Sequence, residues 1–134
     1  MTIHRNRLGN LKNAFQGKFL RVLCVCSAGM LRSPTLAEIL SQAPYNFNTR
    51  SVGTSKEFAL IPIDTAHVAW ADEIVVFNRE QFDTVNELLD CAEVLGFERA
   101  NVHIFPVEDD FSFRDPTLVR ILKELAAETF GESK

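Results

Sequence analysis

Cys26 and Arg32, with five residues between them, are the pair whose chemistry is most readily named. A cysteine thiolate attacks phosphorus, which a thiol scarcely does. Arginine presents a planar fork that binds two phosphate oxygens at once, and lysine would keep the charge but lose the fork. Between them run Ser27-Ala28-Gly29-Met30-Leu31, with Ala28 and Gly29 small enough for close backbone approach. Such a loop can turn its N–H groups inward and form a concave anion site at a helix start. The partial positive charge there favours thiolate over thiol. Ser33 can donate its hydroxyl to the Cys26 sulfur, helping it as nucleophile and as leaving group. Cys26, Arg32 and Ser33 are therefore the candidate catalytic residues, and Ser27, Ala28, Gly29, Met30 and Leu31 the candidate anion-binding ones.

A cysteine and an arginine at this spacing can occur by accident; the flanking elements give the pair its weight. Residues 19–25 are a short apolar run, consistent with a buried strand. Ser33-Pro34 suits a helix start, serine as N-cap and proline in the first turn. Leu36, Ala37, Ile39 and Leu40 give that helix an apolar face before Pro44 stops it. Residues 47–52 read as a second strand, closed by Gly53-Thr54, and Asp64 starts a short helix over 64–71. A third strand spans 73–77, a helix 80–95 with Gly96 as its stop, a fourth strand 101–107 and a last helix 115–130. Alternating strands and helices predict an α/β three-layer sandwich: a four-stranded parallel sheet with helices on both faces. Ligands bind such sheets at the carboxyl ends of the strands, where the loop after strand one lies.

The bulk composition bounds the rest. The 134 residues suit one domain with a real core, and 46% apolar with 24% charged is ordinary for a globular chain. The formal charge of -4 argues against nucleic acid as partner. Cys24, Cys26 and Cys91 show no disulfide framework, which fits a reducing, cytoplasmic setting. His4, His67 and His103 have no ligand-type spacing to the cysteines, so neither a metal site nor a cofactor is expected. No apolar run is long enough to span a membrane. Residues 1–18 read as an N-terminal extension, with Leu8, Leu11, Phe15 and Phe19 at helical spacing, and residues 19–134 as the single domain.

The segments Val22-Leu23-Cys24-Val25-Cys26, Arg32-Ser33-Pro34-Thr35, Ala37-Glu38, Ser51-Val52-Gly53-Thr54 and Trp70-Ala71-Asp72 with Ile74 resemble the low-molecular-weight protein tyrosine phosphatases. The resemblance extends over about residues 20–130, with a much abbreviated stretch between Gly53-Thr54 and the third strand. It implies sheet order 2-1-3-4, a phosphocysteine intermediate on Cys26, and a phosphotyrosine-containing protein or small aryl phosphate as substrate. The expected state is a monomer or weak dimer, without membrane or nucleic acid.

Phenolate leaves poorly unless protonated, so such an enzyme wants a carboxylic acid near the ester oxygen. Asp109, Asp110 and Asp115 follow the fourth strand. Asp115-Pro116 reproduces the family's Asp-Pro pair. The family's acid, however, stands nine residues before the first large apolar residue of the final helix, and nine back from Leu118 is Asp109. Asp115 then falls where a helix cap belongs. Asp109 is favoured, with Asp110 and Asp115 as alternatives. Phe111 and Phe113 would line the slot for a tyrosyl ring or simply pack their loop.

The chain departs from the family at several positions. Its usual Gly-Asn in mid-loop is Ala28-Gly29 here, which removes a propping asparagine, and Ser51 matches a serine near that network. Leu31 replaces a second loop cysteine. Asn78 stands where relatives often carry aspartate. Cys24 reads as core, as does Cys91. The loop also resembles that of phosphocysteine carriers in sugar phosphotransferase systems, which need neither the arginine nor the acid. Arsenate reductases on this scaffold need further cysteines. A phosphate- or phosphotyrosine-binding module without turnover is the remaining rival.

Overall fold

The computed structural model describes residues 20–27, 32–55, 57, 59, 61–107 and 115–131. Within them β1 (Arg21–Cys26), β2 (Asn48–Gly53), β3 (Glu73–Val76) and β4 (Asn101–Ile104) alternate with four helices. These are α1 (Arg32–Ser41), α2 (Thr65–Trp70), α3 (Arg79–Val94) and α4 (Pro116–Phe130). The strands form one parallel sheet in the order β2-β1-β3-β4. This is the order and the layering expected from the sequence. The N-terminal extension lies outside the described residues.

Two of the sheet's properties aim the loop after β1. All six residues of β1 are buried, as a central strand covered on both faces must be. Val22, Cys24 and Cys26 face Leu36 and Leu40 of α1 and Leu118, Leu122 and Ala126 of α4. Leu23 and Val25 face Val68 of α2 and Val85, Leu89 and Ala92 of α3. The path from β1 to β2 runs opposite to that from β2 to β3 and β4. Right-handed crossovers therefore put α1 on one face and α2 with α3 on the other. β1 ends where its neighbours diverge, and the chain leaves the sheet at Cys26 into a crevice at the strands' carboxyl ends.

The helix ends follow local chemistry. Asn78 caps α3, its Oδ1 accepting from Gln81 N at 2.8 Å. At the other end Gly96, at φ 100°, closes the helix: its N–H donates to Glu93 O and Phe97 N–H to Ala92 O. That reversal needs the left-handed conformation that glycine adopts without cost. Asp115 caps α4, its Oδ1 accepting from Thr117 N at 2.8 Å and Leu118 N at 3.4 Å, with Pro116 at the first helical position. Asp115→Ala is expected to lower stability by about 1 kcal/mol, read as a lower urea midpoint at unchanged slope.

Three expectations need correction. Cys91 is exposed rather than core. It stands two residues from Leu89, about 200° around a helix of 3.6 residues per turn, and so points away from the buried stripe. The fourth strand stops at Ile104 rather than 107. Phe105 N–H still donates to Val76 O at 2.8 Å, but the chain then turns toward the crevice. Helix α1 begins at Arg32, so Ser33 sits inside its first turn and is not the cap. No helix among the described residues is long and apolar enough to cross a membrane.

Candidate active site

Cys26 is the last residue of β1, buried to 3% exposure, and its Sγ lies 3.0 Å from Ser33 Oγ. Ser33 is fully buried, and its Oγ lies 2.7 Å from Ser51 Oγ on the neighbouring strand β2. This explains why Ser33 does not cap its helix: its hydroxyl is committed to the sulfur and to Ser51. A chain Ser51–Ser33–Cys26 results, in which a hydroxyl proton can be directed at the sulfur. Hydrogen bonding of this kind stabilises a thiolate and a thiolate leaving group alike.

Arg32 opens α1 on the far side of the loop and is also only 3% exposed. Its Nη1 donates to Val107 O at 2.8 Å, and its Cζ lies 5.3 Å from the centre of the Phe77 ring. Phe77 is itself wedged edge-on against Phe105, with ring centres 6.5 Å apart at 81°. Two segments thus fix the guanidinium plane: the one leaving β3 holds its face, and the one leaving β4 holds its edge. A cation held in a dry site acts on an anion through a lower effective dielectric than water offers.

The near rim of the loop is tied to the sheet. Thr54 N–H donates to Cys26 O at 2.9 Å and Ser55 N–H to Ser27 O at 2.8 Å, so the β1–β2 ladder continues past the strand ends. The abbreviated stretch after β2 folds back on its outer side, with Gly53 N–H donating to Ile61 O and Ile63 N–H to Gly53 O. From α3, the buried Gln81 reaches across to Ser27 Oγ with its Nε2 at 3.2 Å.

Cys26, Ser27, Ser33 and Ser51 therefore meet at the carboxyl ends of β1 and β2, while the Arg32 guanidinium is held by the segments that leave β3 and β4. Asp115 is found as the cap of α4. Ala28, Gly29, Met30, Leu31, Asp109, Asp110, Phe111 and Phe113 lie outside the described residues. The sequence reading missed Phe77, the Val107 carbonyl and Gln81. Gln81 had a visible signal: it stands four residues before Val85, where the apolar stripe of α3 should continue, yet it is polar. The carbonyl had none, since a backbone acceptor leaves no trace in residue type.

Cys24 lies on the same strand face as Cys26 and is completely buried. Burial pushes its thiol well up from the usual cysteine range, and the charge of Cys26 beside it adds to the effect. It remains a neutral core thiol, as expected.

No protein-family model matches the chain, and no curated protein sequence does either. Solved structures do match. Wzb of Vibrio vulnificus, in complex with benzylphosphonate, superposes with a TM-score of 0.61 at 15% identity, covering 84% of this chain and 97% of that one. The tyrosine phosphatase Wzb of Escherichia coli K30, in complex with phosphate, gives 0.60 at 15% identity over 84% and 96%. A low-molecular-weight phosphotyrosine phosphatase of Vibrio cholerae gives 0.55 at 14% identity over 84% and 93%. At these identities the likeness is one of architecture: this chain has the fold of the low-molecular-weight tyrosine phosphatases.

Proposed function

We propose that this chain is a cysteine-dependent phosphomonoesterase acting on aryl phosphates of the phosphotyrosine type. One observation carries the reading: a buried Cys26 Sγ, 3.0 Å from a serine hydroxyl, opens a loop that closes on a buried arginine at a helix start. The fold supports it, as does the benzylphosphonate held by the Vibrio vulnificus neighbour, a phosphonate one methylene away from an aromatic ring.

In the proposed reaction Cys26 Sγ attacks phosphorus, the S–P bond forms and the bond to the aryl oxygen breaks. Asp109 gives its proton to the departing phenolate. Water then attacks the phosphocysteine, Asp109 takes its proton, the S–P bond breaks and inorganic phosphate leaves. Arg32 binds two phosphate oxygens throughout, and Ser33 stabilises the sulfur each time it carries charge. Asp109 is two residues beyond Val107, whose carbonyl holds Arg32, so the segment that carries it starts at the site.

Release of phosphate from p-nitrophenyl phosphate, phosphotyrosine and phosphoserine tests the proposal, with the two aryl esters expected as substrates. A chain that binds inorganic phosphate but releases none from any ester is a binding module, and the proposal is then wrong. Across a series of aryl phosphates, Asp109→Ala is expected to slow esters of weakly acidic phenols by about 10²-fold or more and activated esters far less. If Asp110→Ala or Asp115→Ala shows that leaving-group dependence instead, the acid is assigned to the wrong residue.

A further inference from the structure

The buried amide of Gln81 has a fixed polarity. Phe77 N–H lies 2.7 Å from Gln81 Oε1, and a backbone N–H can only donate. The oxygen of the carboxamide is therefore the atom facing Phe77, and the NH₂ group must face Ser27, whose Oγ accepts at 3.2 Å. The side chain is itself held at its base, since Gln81 N–H donates to the Asn78 cap and the residue is only 1% exposed. Phe77 in turn stacks against Arg32, and Ser27 directly follows Cys26. One glutamine thus spans the two ends of the Cys26–Arg32 loop, touching the first residue after the nucleophile and the segment under the arginine.

We infer that Gln81 is a positioning residue for the phosphate loop, acting through Ser27 and Phe77. The inference rests on the reading of the Cys26–Arg32 loop as a phosphate site. The sequence adds that the loop has glycine at position 29 where the resembled family has a propping asparagine, so that side chain supplies no support here. Gln81 reaches the loop from α3, and Ser51 from β2 through Ser33. Neither partner touches phosphate in this scheme; each fixes the backbone that does.

Gln81→Glu and Ser27→Ala together separate this role from a purely structural one. A carboxylate accepts from Phe77 N–H as well as the amide oxygen does, so that contact survives. Toward Ser27 it can only accept, so that hydrogen bond must reverse with the Ser27 hydroxyl as donor, and it sets a negative charge behind the anion site. The expected result is a Kd for inorganic phosphate and a KM for p-nitrophenyl phosphate each raised about tenfold. The kcat should stay within about threefold, because the repulsion acts on bound ester and transition state alike. Unchanged constants overturn the inference; because the new charge by itself also weakens anion binding, the uncharged Ser27→Ala variant is the one that separates positioning from repulsion. Ser27→Ala, which removes the hydroxyl that Gln81 holds without adding charge, is expected to raise both constants about threefold. Should Gln81→Glu not fold, Ser27→Ala decides alone, and wild-type constants for it sink the idea. A wild-type chain with measurable turnover but indifferent Gln81 and Ser27 refutes this inference and leaves the proposed function standing. A wild-type chain that neither binds phosphate nor turns over ester refutes both.

Discussion

Cys26→Ser is expected to cut turnover of p-nitrophenyl phosphate by at least about 10⁴-fold while inorganic phosphate still binds within a few-fold of the wild type. The substitution changes one atom. A serine oxygen at this position can still meet Ser33 Oγ, which now lies 3.0 Å from the sulfur, so the chain from Ser51 through Ser33 to residue 26 persists. Ionisation and nucleophilicity do not persist, because an alcohol holds its proton far more tightly than a thiol does. Neither of the other two cysteines can take over. Cys24 is completely buried on the strand, and burial together with the charge of Cys26 pushes its thiol well up. Cys91 is exposed on the outer side of α3. Kinetics and calorimetric phosphate titration on the same preparation separate the two effects. Appreciable turnover by Cys26→Ser would mean that another group attacks phosphorus.

The architecture was legible in the sequence because its signals are local and redundant. A run such as Val22-Leu23-Cys24-Val25 has no polar face to give to water, so it demands cover on both sides, and that demand implies helices in two layers. That Cys26 would stand beside Ser33, with Arg32 at the start of the next helix, was legible because the chemistry proposed for them calls for particular side chains. What stayed hidden depends on backbone atoms or on which side of a helix a residue faces. Ser33 looked like a cap because serine before proline usually is one; its partner Ser51 is 18 residues away and visible only once β1 and β2 pair. Cys91 looked like core because free cysteine usually is, although its offset from Leu89 puts it on the wet side. Phe77 read as one more strand residue, yet its ring forms the floor beneath a guanidinium. In each miss a residue's type suggested its usual setting, and pairing across the sheet assigned it another.

Arg32→Lys is the second substitution with a large expected effect, and it isolates geometry from charge. Arg32 is called on for three things at once: donation to Val107 O at 2.8 Å, a planar face 5.3 Å above the Phe77 ring centre, and, in the proposed reaction, a bidentate grip on phosphate. A lysine ammonium is a point charge without a plane. If it bonds the Val107 carbonyl it is drawn from the phosphate, and if it bonds phosphate the carbonyl is left without that donor. The expected outcome is a fall in kcat/KM of about 10³-fold, or roughly 4 kcal/mol, shared between a raised KM and a lowered kcat. Both should move because the fork grips ester oxygens in the ground state and the spreading phosphoryl charge in the transition state. Steady-state kinetics with the phosphate Kd measure the split. A phosphocysteine carrier has no need of an arginine here, so an Arg32→Lys variant with near wild-type affinity and transfer would favour that reading. A loss confined to KM would make Arg32 a binding residue only, with no part in stabilising the transition state.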